Sequence, residues 1–423
     1  MKVLILTYYF PPSGGAGVQR WLKFVKYLPQ FDVEPIVLTV DEHDASYPQI
    51  DNQLLNEVPS NIRVVKTKTR EILSFYKKLS PNKEVPYGGF ANESKVGFFQ
   101  KVSRAIRGNF FLPDPRRGWN KFALKRAIQL IEQEQIDTII TTSPPHSTQL
   151  IGLALKKRFP HIRWIADLRD PWTDIYYNKE LYQSAFAKKW NARYERQVLE
   201  QADKIITVSN SCKENFASKT SCADKLMVIP NGYDEVDFQN VSELSQTTDK
   251  KVISYVGVLS SLYDVNPFVE ALKKLTYEEK SKLLLRFVGN VDGGVLESIK
   301  LLGIEVDFVQ YVPHKEAIAY MCGSDVLLLF LPQTKENKGI LTGKLFEYLA
   351  AKHPILLVAE ADGDAAKLIA EQSAGVALND AGAIADYLRN VSLASKEELQ
   401  VSSSPEKYSR FSLTEELVKL LRG

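Results

Sequence analysis

Residues 2–21 read KVLILTYYFPPSGGAGVQRW. KVLILT is an unbroken apolar run, the pattern of a strand buried on both faces in a parallel sheet. Gly14, Gly15 and Gly17 follow, and Val18, Leu22, Val25 and Leu28 then recur at helical spacing. Strand, glycine turn and helix together form a βα unit. At such a turn, backbone N–H groups and the positive end of a helix dipole can approach an anion. The glycines read GGAG rather than G-x-G-x-x-G, and Asp41 follows a loop, so the spacing is not a dinucleotide fingerprint. A tight connection that binds nothing is the other reading. Arg20, one turn into the helix, has a guanidinium that matches phosphate geometry; a solvated helix face would carry an arginine equally well.

Working outward, strand-like runs recur at 33–40, 137–143, 163–168 and 204–209. A second series occupies 251–259, 282–290, 304–312, 324–331 and 353–360, with helical patterns between, notably around 343–351. Alternating strands and helices imply a parallel sheet covered on both faces, and the alternation occurs twice. At ~100–200 residues per domain, 423 residues also suggest two domains. We expect a first domain over 1–240, a polar linker VSELSQTTDK over 241–250 and a second domain over 250–405. A C-terminal helix, 406–423, is assigned to pack back on the first domain.

Composition excludes several classes. The net charge of +3 is uninformative, and 44% hydrophobic residues suit two globular cores. Three cysteines without C-x-x-C spacing argue for a reducing compartment and against a disulfide framework or a zinc site. The opening MKVLILTYYF does not have the form of a signal peptide. No run approaches the ~18 apolar residues of a transmembrane helix.

Several motifs then occur in a telling order: PPSGGAGVQR (11–20), SNSCKENF (209–216), VIPNGYD (228–234), YVGVL (255–259) and GKLFEYLAAKHPIL (343–356). Together they resemble the retaining glycosyltransferases of family 4. That resemblance implies the α/β GT-B fold, two Rossmann-like doubly wound domains facing a cleft. TTSPPHSTQ (141–149) and IADLRDPWTD (165–174) further resemble bacterial enzymes that build surface polysaccharide, lipopolysaccharide or capsule, on lipid-linked acceptors.

The resemblance implies a nucleotide sugar as donor substrate, with no cofactor and no metal required. Glu347 would hold the ribose hydroxyls and Lys344 the diphosphate. Gly339, Thr342 and Gly343 would offer backbone N–H groups at a helix N-terminus. Gly257, Tyr311 and Val312 would line the donor pocket, with Gly14, Gly15, Gly17 and Arg20 contributing from the first domain. His146, Asp167, Arg169 and Asp170 stand at strand ends where ligands of open α/β sheets lie, and are the catalytic candidates. An internal Asp–Arg salt bridge is the alternative for the DLRD run, as an incidental loop residue is for His146 and a surface helix position for Glu347.

Two departures stand out. Family members often carry a second glutamate eight residues before the first, but here that position is Gly339, with Glu336 nearby as a substitute. The region YVGVLSSLYDVNPF also lacks the usual Arg and Lys, which leaves phosphate neutralisation to Lys344, Arg20 or Arg169. The D-x-D text at Asp362–Asp364 reads as a helix start rather than a metal site.

An insertion over about 66–126 contains KVGFFQKVSRAIRGNFFLPDPRRGWNKFALKR (95–126), rich in cations and aromatics. Such segments dock on anionic membranes, and we assign Arg104, Arg107, Phe110, Phe111, Arg116 and Arg117 to docking. Lys77, Lys78 and Lys95 add charge. The alternative is a helical pair whose aromatics fill the core; no recognition motif supports nucleic acid. The expected protein is a cytoplasmic enzyme, peripheral on the inner face of the plasma membrane. It would transfer a sugar from a nucleotide-diphosphate donor to a lipid-linked or growing saccharide. A sugar-nucleotide epimerase and a catalytically idle binding protein are the rivals.

Overall fold

A computed structural model describes residues 1–70, 98–239, 241, 248–260, 263–332, 337–395 and 397–423. The chain divides into two compact units, Met1–Pro230 with Arg410–Gly423, and Asn231–Ser409. The division falls between Pro230 and Asn231, upstream of the polar stretch at 241–250.

The strands of the first unit are β1 (Lys2–Leu6), β2 (Glu34–Val40), β3 (Arg63–Thr67), β4 (Thr138–Ser143), β5 (Arg163–Leu168), β6 (Lys204–Thr207) and β7 (Leu226–Val228). Its helices include α1 (Ala16–Tyr27), α2 (Phe98–Phe110), α3 (Asn120–Glu134), α4 (Ser147–Arg158), α5 (Ala185–Gln201) and α6 (Asn210–Ala217). The second unit holds β8 (Lys251–Val256), β9 (Leu283–Val288), β10 (Glu305–Val309), β11 (Val326–Phe330), β12 (Ile355–Val358) and β13 (Gly375–Leu378). Its helices include α7 (Asn266–Lys273), α8 (Tyr277–Ser281), α9 (Gly293–Lys300), α10 (His314–Cys322), α11 (Gly343–Ala351), α12 (Asp364–Glu371) and α13 (Ala381–Leu393). The closing helix α14 (Arg410–Arg422) returns to the first unit.

Among the described residues, each unit has one sheet, ordered β3-β2-β1-β4-β5-β6-β7 and β10-β9-β8-β11-β12-β13. Every ladder is parallel. Both are Rossmann-like, with the order reversing between β1 and β4 and between β8 and β11, where open α/β sheets bind ligands.

The period of two along a strand explains the two cores of the first unit. Val3 and Ile5 of β1 join Trp21, Phe24 and Val25 of α1 on one face, together with Leu413, Leu417 and Leu421 of α14. Leu4 and Leu6 point to the other face, among Trp119, Ala127, Leu130 and Trp164. Arg163 fastens α14 by donating to the carbonyls of Leu420 (2.7 Å) and Leu421 (2.9 Å), unpaired groups of the helix C-terminus. The second unit repeats the plan, with Leu328 and Phe330 of β11 in one core and Leu327 and Leu329 in the other. Among the described residues no helix is long and apolar enough to cross a membrane.

Candidate active site

In the first unit the chain leaves β1 and β4 at the reversal of strand order, so the glycine turn and His146 stand at neighbouring strand ends. Gly15 precedes α1 with φ +90°, a left-handed conformation that favours glycine. No side chain caps α1 and its first turn holds no acid. Arg169 ties the two strand ends together: Nε donates to the Ser143 carbonyl (2.9 Å) and Nη1 to the Gly17 carbonyl (2.8 Å).

Arg20 and Asp167 lie elsewhere than their ligand-binding assignments require. Arg20 is 1% exposed and Asp167 is fully buried. The guanidinium donates to both carboxylate oxygens (3.1 and 3.4 Å) and to the Pro230 carbonyl (2.8 Å). Trp21 Nε1 (2.7 Å) and the Thr142 hydroxyl (2.8 Å) complete the shell of Asp167. A pair so enclosed is a frame joining α1, β4 and β5. The internal salt bridge considered for Arg169 is thus made by Arg20.

His146 immediately precedes α4 and is buried, its ring stacked on Trp172 at 4.8 Å with planes 10° apart. Neither ring nitrogen has a hydrogen-bond partner among the described residues. Burial, reinforced by the positive charges of Arg169 and Lys219, pulls its pKa down to about 3, so the imidazole is neutral. A neutral ring has one N–H donor and one acceptor, and neither is engaged among the described residues. Trp172 sits in a loop pinned by a network that the sequence did not suggest. Glu195, buried on α5, accepts from the Thr173 hydroxyl (2.5 Å) and from Lys219 (3.0 Å), and Lys219 also pairs with Asp174 (2.7 Å). Asp170 makes no side-chain hydrogen bond among the described residues; burial pushes its carboxyl up, with the Arg169 guanidinium opposing.

In the second unit, Gly257 follows β8 with φ +128°, and a Cβ there would come within 2.7 Å of Lys344 Nζ. Gly289 (φ +117°) in turn leaves room for Gly257, whose carbonyl a Cβ would meet at 2.5 Å. The glycines therefore make a groove in which the Lys344 side chain lies, its ammonium 3.9 Å from the Tyr255 ring centroid. This contact is a cation–π interaction. Burial lowers the Lys344 pKa to about 7, and the Glu347 charge opposes that shift. A cation from α11 thus stands at the end of β8. Thr342 precedes α11 without capping it, and its hydroxyl is buried with no partner among the described residues. Glu347, one turn on from Lys344, receives His314 Nε2 at 2.9 Å. Tyr311 is exposed and Val312 is half-buried against the core. Gly339 ends a short 3-10 turn, Asn337–Gly339, and Gly343 starts α11. Asp362 pairs with Lys338, and Asp364 opens α12.

The basic aromatic segment divides in two. Leu112 to Trp119 belongs to the frame. Asp114 accepts from the backbone (2.7 Å) and hydroxyl (2.8 Å) of Ser147 at the start of α4, Arg116 donates to the Ser46 carbonyl (2.9 Å), and Trp119 to the Thr67 hydroxyl (2.8 Å). Arg116 is buried, as is Arg104, which pairs with Glu180 at 2.7 Å; these two arginines are corrected from docking to structure. Arg107 is partly buried and Phe111 half-buried. On α2, Val102, Ile106 and Phe110 stand four residues apart and are exposed, Phe110 at 79%. Arg117 is exposed and lies over the Tyr194 ring. Lys77, Lys78, Lys95 and Glu336 lie outside the described residues.

Residues 87–236 match the family described as Glycosyltransferase Family 4, and residues 237–410 match Glycosyl transferases group 1. The chain is a glycosyltransferase. No curated protein matches it in sequence. In structure this glycosyltransferase is similar to Anabaena HepE, crystallised in complex with UDP, at TM-score 0.66 and 14% identity over 100% of both chains. It is similar to sucrose-phosphate synthase from Thermosynechococcus elongatus, at TM-score 0.63 and 14% identity over 100% of this chain and 98% of that one. WaaG, a glycosyltransferase involved in lipopolysaccharide biosynthesis, gives TM-score 0.57 and 14% identity over 100% of both chains. These likenesses are of fold, and the fold is GT-B.

Proposed function

We propose that this glycosyltransferase moves a hexose from a nucleoside-diphosphate donor to a hydroxyl of a lipid-linked or growing saccharide. The transfer retains anomeric configuration and serves bacterial surface-polysaccharide synthesis. The observation that carries the reading is Lys344 lying over Gly257 beside the uncapped start of α11. A cation from the first turn of a helix whose start has no side-chain cap suits a diphosphate. Glu347, one turn further, is the group we assign to the ribose hydroxyls. In the transfer the acceptor oxygen bonds to the anomeric carbon as the bond from that carbon to the diphosphate oxygen breaks. The hydroxyl proton passes to the departing diphosphate, and Lys344 and the start of α11 stabilise its charge. This scheme uses no divalent cation. On the first unit, neutral His146 and Asp170 are the acceptor-side groups, with Arg169 offering charge to an acceptor phosphate.

A panel of nucleotide sugars tests the reading through thermal shift and release of nucleoside diphosphate with a saccharide acceptor. One donor should raise the melting temperature and release its nucleotide, and chelator should leave turnover unchanged. An isomerised donor without transfer would point to an epimerase, and no binding by any donor to an idle protein.

We also propose that the enzyme works at the inner face of the plasma membrane, docked through α2 and the start of α5. α2 packs on the Tyr176–Leu181 turn and on α5, and Asn109 fastens it to Tyr182 and Ser184. This joins the Val102–Ile106–Phe110 stripe to the exposed Tyr182 and Phe186, the latter 67% exposed. Lys101, Lys188, Lys189 and Arg193 are exposed on the same two helices, and Arg193 lies over Trp190. Apolar residues ringed by cations suit an anionic leaflet. Changing Phe110 and Phe186 to glutamate should reduce cosedimentation with vesicles of phosphatidylglycerol and phosphatidylcholine by about tenfold or more. Turnover on a soluble acceptor should persist. Unchanged sedimentation would remove the docking surface.

A further inference from the structure

We infer that His314 is a positioning residue for Glu347: it holds one carboxylate oxygen and leaves the other for the ribose hydroxyls of the donor. The inference deepens the donor-site reading above and rests on it.

Three separate pieces of chain converge here. Glu347 comes from α11, His314 is the first residue of α10, and Asp237 lies in the 3-10 turn Glu235–Phe238. His314 Nε2 stands 2.9 Å from Glu347 Oε1, and Nδ1 stands 3.9 Å from Asp237 Oδ2. Neither His314 nor Glu347 is sealed from solvent, so a ligand can reach the carboxylate. A glutamate on a helix surface has three rotatable side-chain bonds, and a clamp built on it must lose that freedom when the ligand arrives. Ordering the carboxylate beforehand removes that cost from binding. With Oε1 engaged by the imidazole, Oε2 keeps its lone pairs for hydroxyl donors. Nothing in the sequence spacing pairs residue 314 with residue 347; strand β10 and the turn to α10 bring them together.

The test uses the full chain and titration calorimetry with ADP, GDP, CDP and UDP, each against its 2′,3′-dideoxy analogue, with inorganic pyrophosphate as a control. Wild type should favour the ribose form of its preferred nucleotide by about 10- to 100-fold, the range of a hydrogen bond to a charged group. His314→Ala should cut that preference to about threefold or less. His314→Gln, whose amide can still donate, should restore most of it. Pyrophosphate affinity should stay unchanged in both. Glu347→Ala should abolish the preference, and His314→Ala in that background should add nothing. If His314→Ala keeps the ribose preference while Glu347→Ala loses it, the positioning role is overturned alone. If Glu347→Ala keeps the preference, or no nucleotide binds wild type, the donor-site reading fails and takes this inference with it.

Discussion

Lys344→Met should lower kcat by about 100- to 1,000-fold, the scale of losing one preorganised charge-stabilising group. The residue is the cation that reaches the end of β8, and Gly257 is glycine because the lysine lies across it. The change should also alter the pH dependence of nucleotide binding. In the free protein burial holds the Lys344 pKa at about 7. A bound diphosphate favours the ammonium and raises that value. Above pH 7 the free lysine sheds its proton, so binding must take one up, and affinity falls as pH rises. Below pH 7 the lysine is already charged and this dependence disappears. Calorimetry from pH 6 to 9, in buffers of different ionisation enthalpy, should show proton uptake in wild type and none from this group in Lys344→Met. A wild-type affinity that is flat above pH 7, with turnover unmoved by the substitution, would reject the role.

Arg20→Met should destabilise the first unit by about 3–5 kcal/mol, because it leaves the buried Asp167 carboxylate without its counter-charge. The Pro230 carbonyl loses its donor as well. Denaturant unfolding followed by tryptophan fluorescence measures the loss, since Trp21 bonds the same carboxylate. The double change Arg20→Met with Asp167→Leu should recover much of it, as replacing both members of a buried pair often does. Folded Arg20→Met protein should keep its donor KM. A phosphate-binding role would produce the opposite pattern, with stability retained and donor KM raised.

The two experiments separate residues that look alike in sequence. Lys344 and Arg20 both stand near the start of a helix that follows a glycine-containing turn. Lys344 is left with an aromatic ring and a neighbouring carboxylate, whereas Arg20 is saturated by a carboxylate 147 positions away. Similarly, Arg116 and Arg117 are adjacent, yet one is locked to the Ser46 carbonyl and the other lies exposed over Tyr194. His146 was legible as a strand-end histidine; its stack on Trp172 and the Glu195–Lys219 network behind that loop were not.

By itself the sequence determined the doubly wound plan. Strands buried on both faces must be continuously apolar, and helices covering them must repeat every three to four residues. β3, β7 and β13 escaped that reading because they are edge strands whose half-exposed positions break the apolar run. The glycine turns were also legible, since a missing side chain is a local property. Only the tertiary structure decided which charges meet a partner and which keep one face for a ligand. Desolvation and Coulomb energy depend on distance in space, and residues that compensate one another here come from strands and helices far apart in the chain.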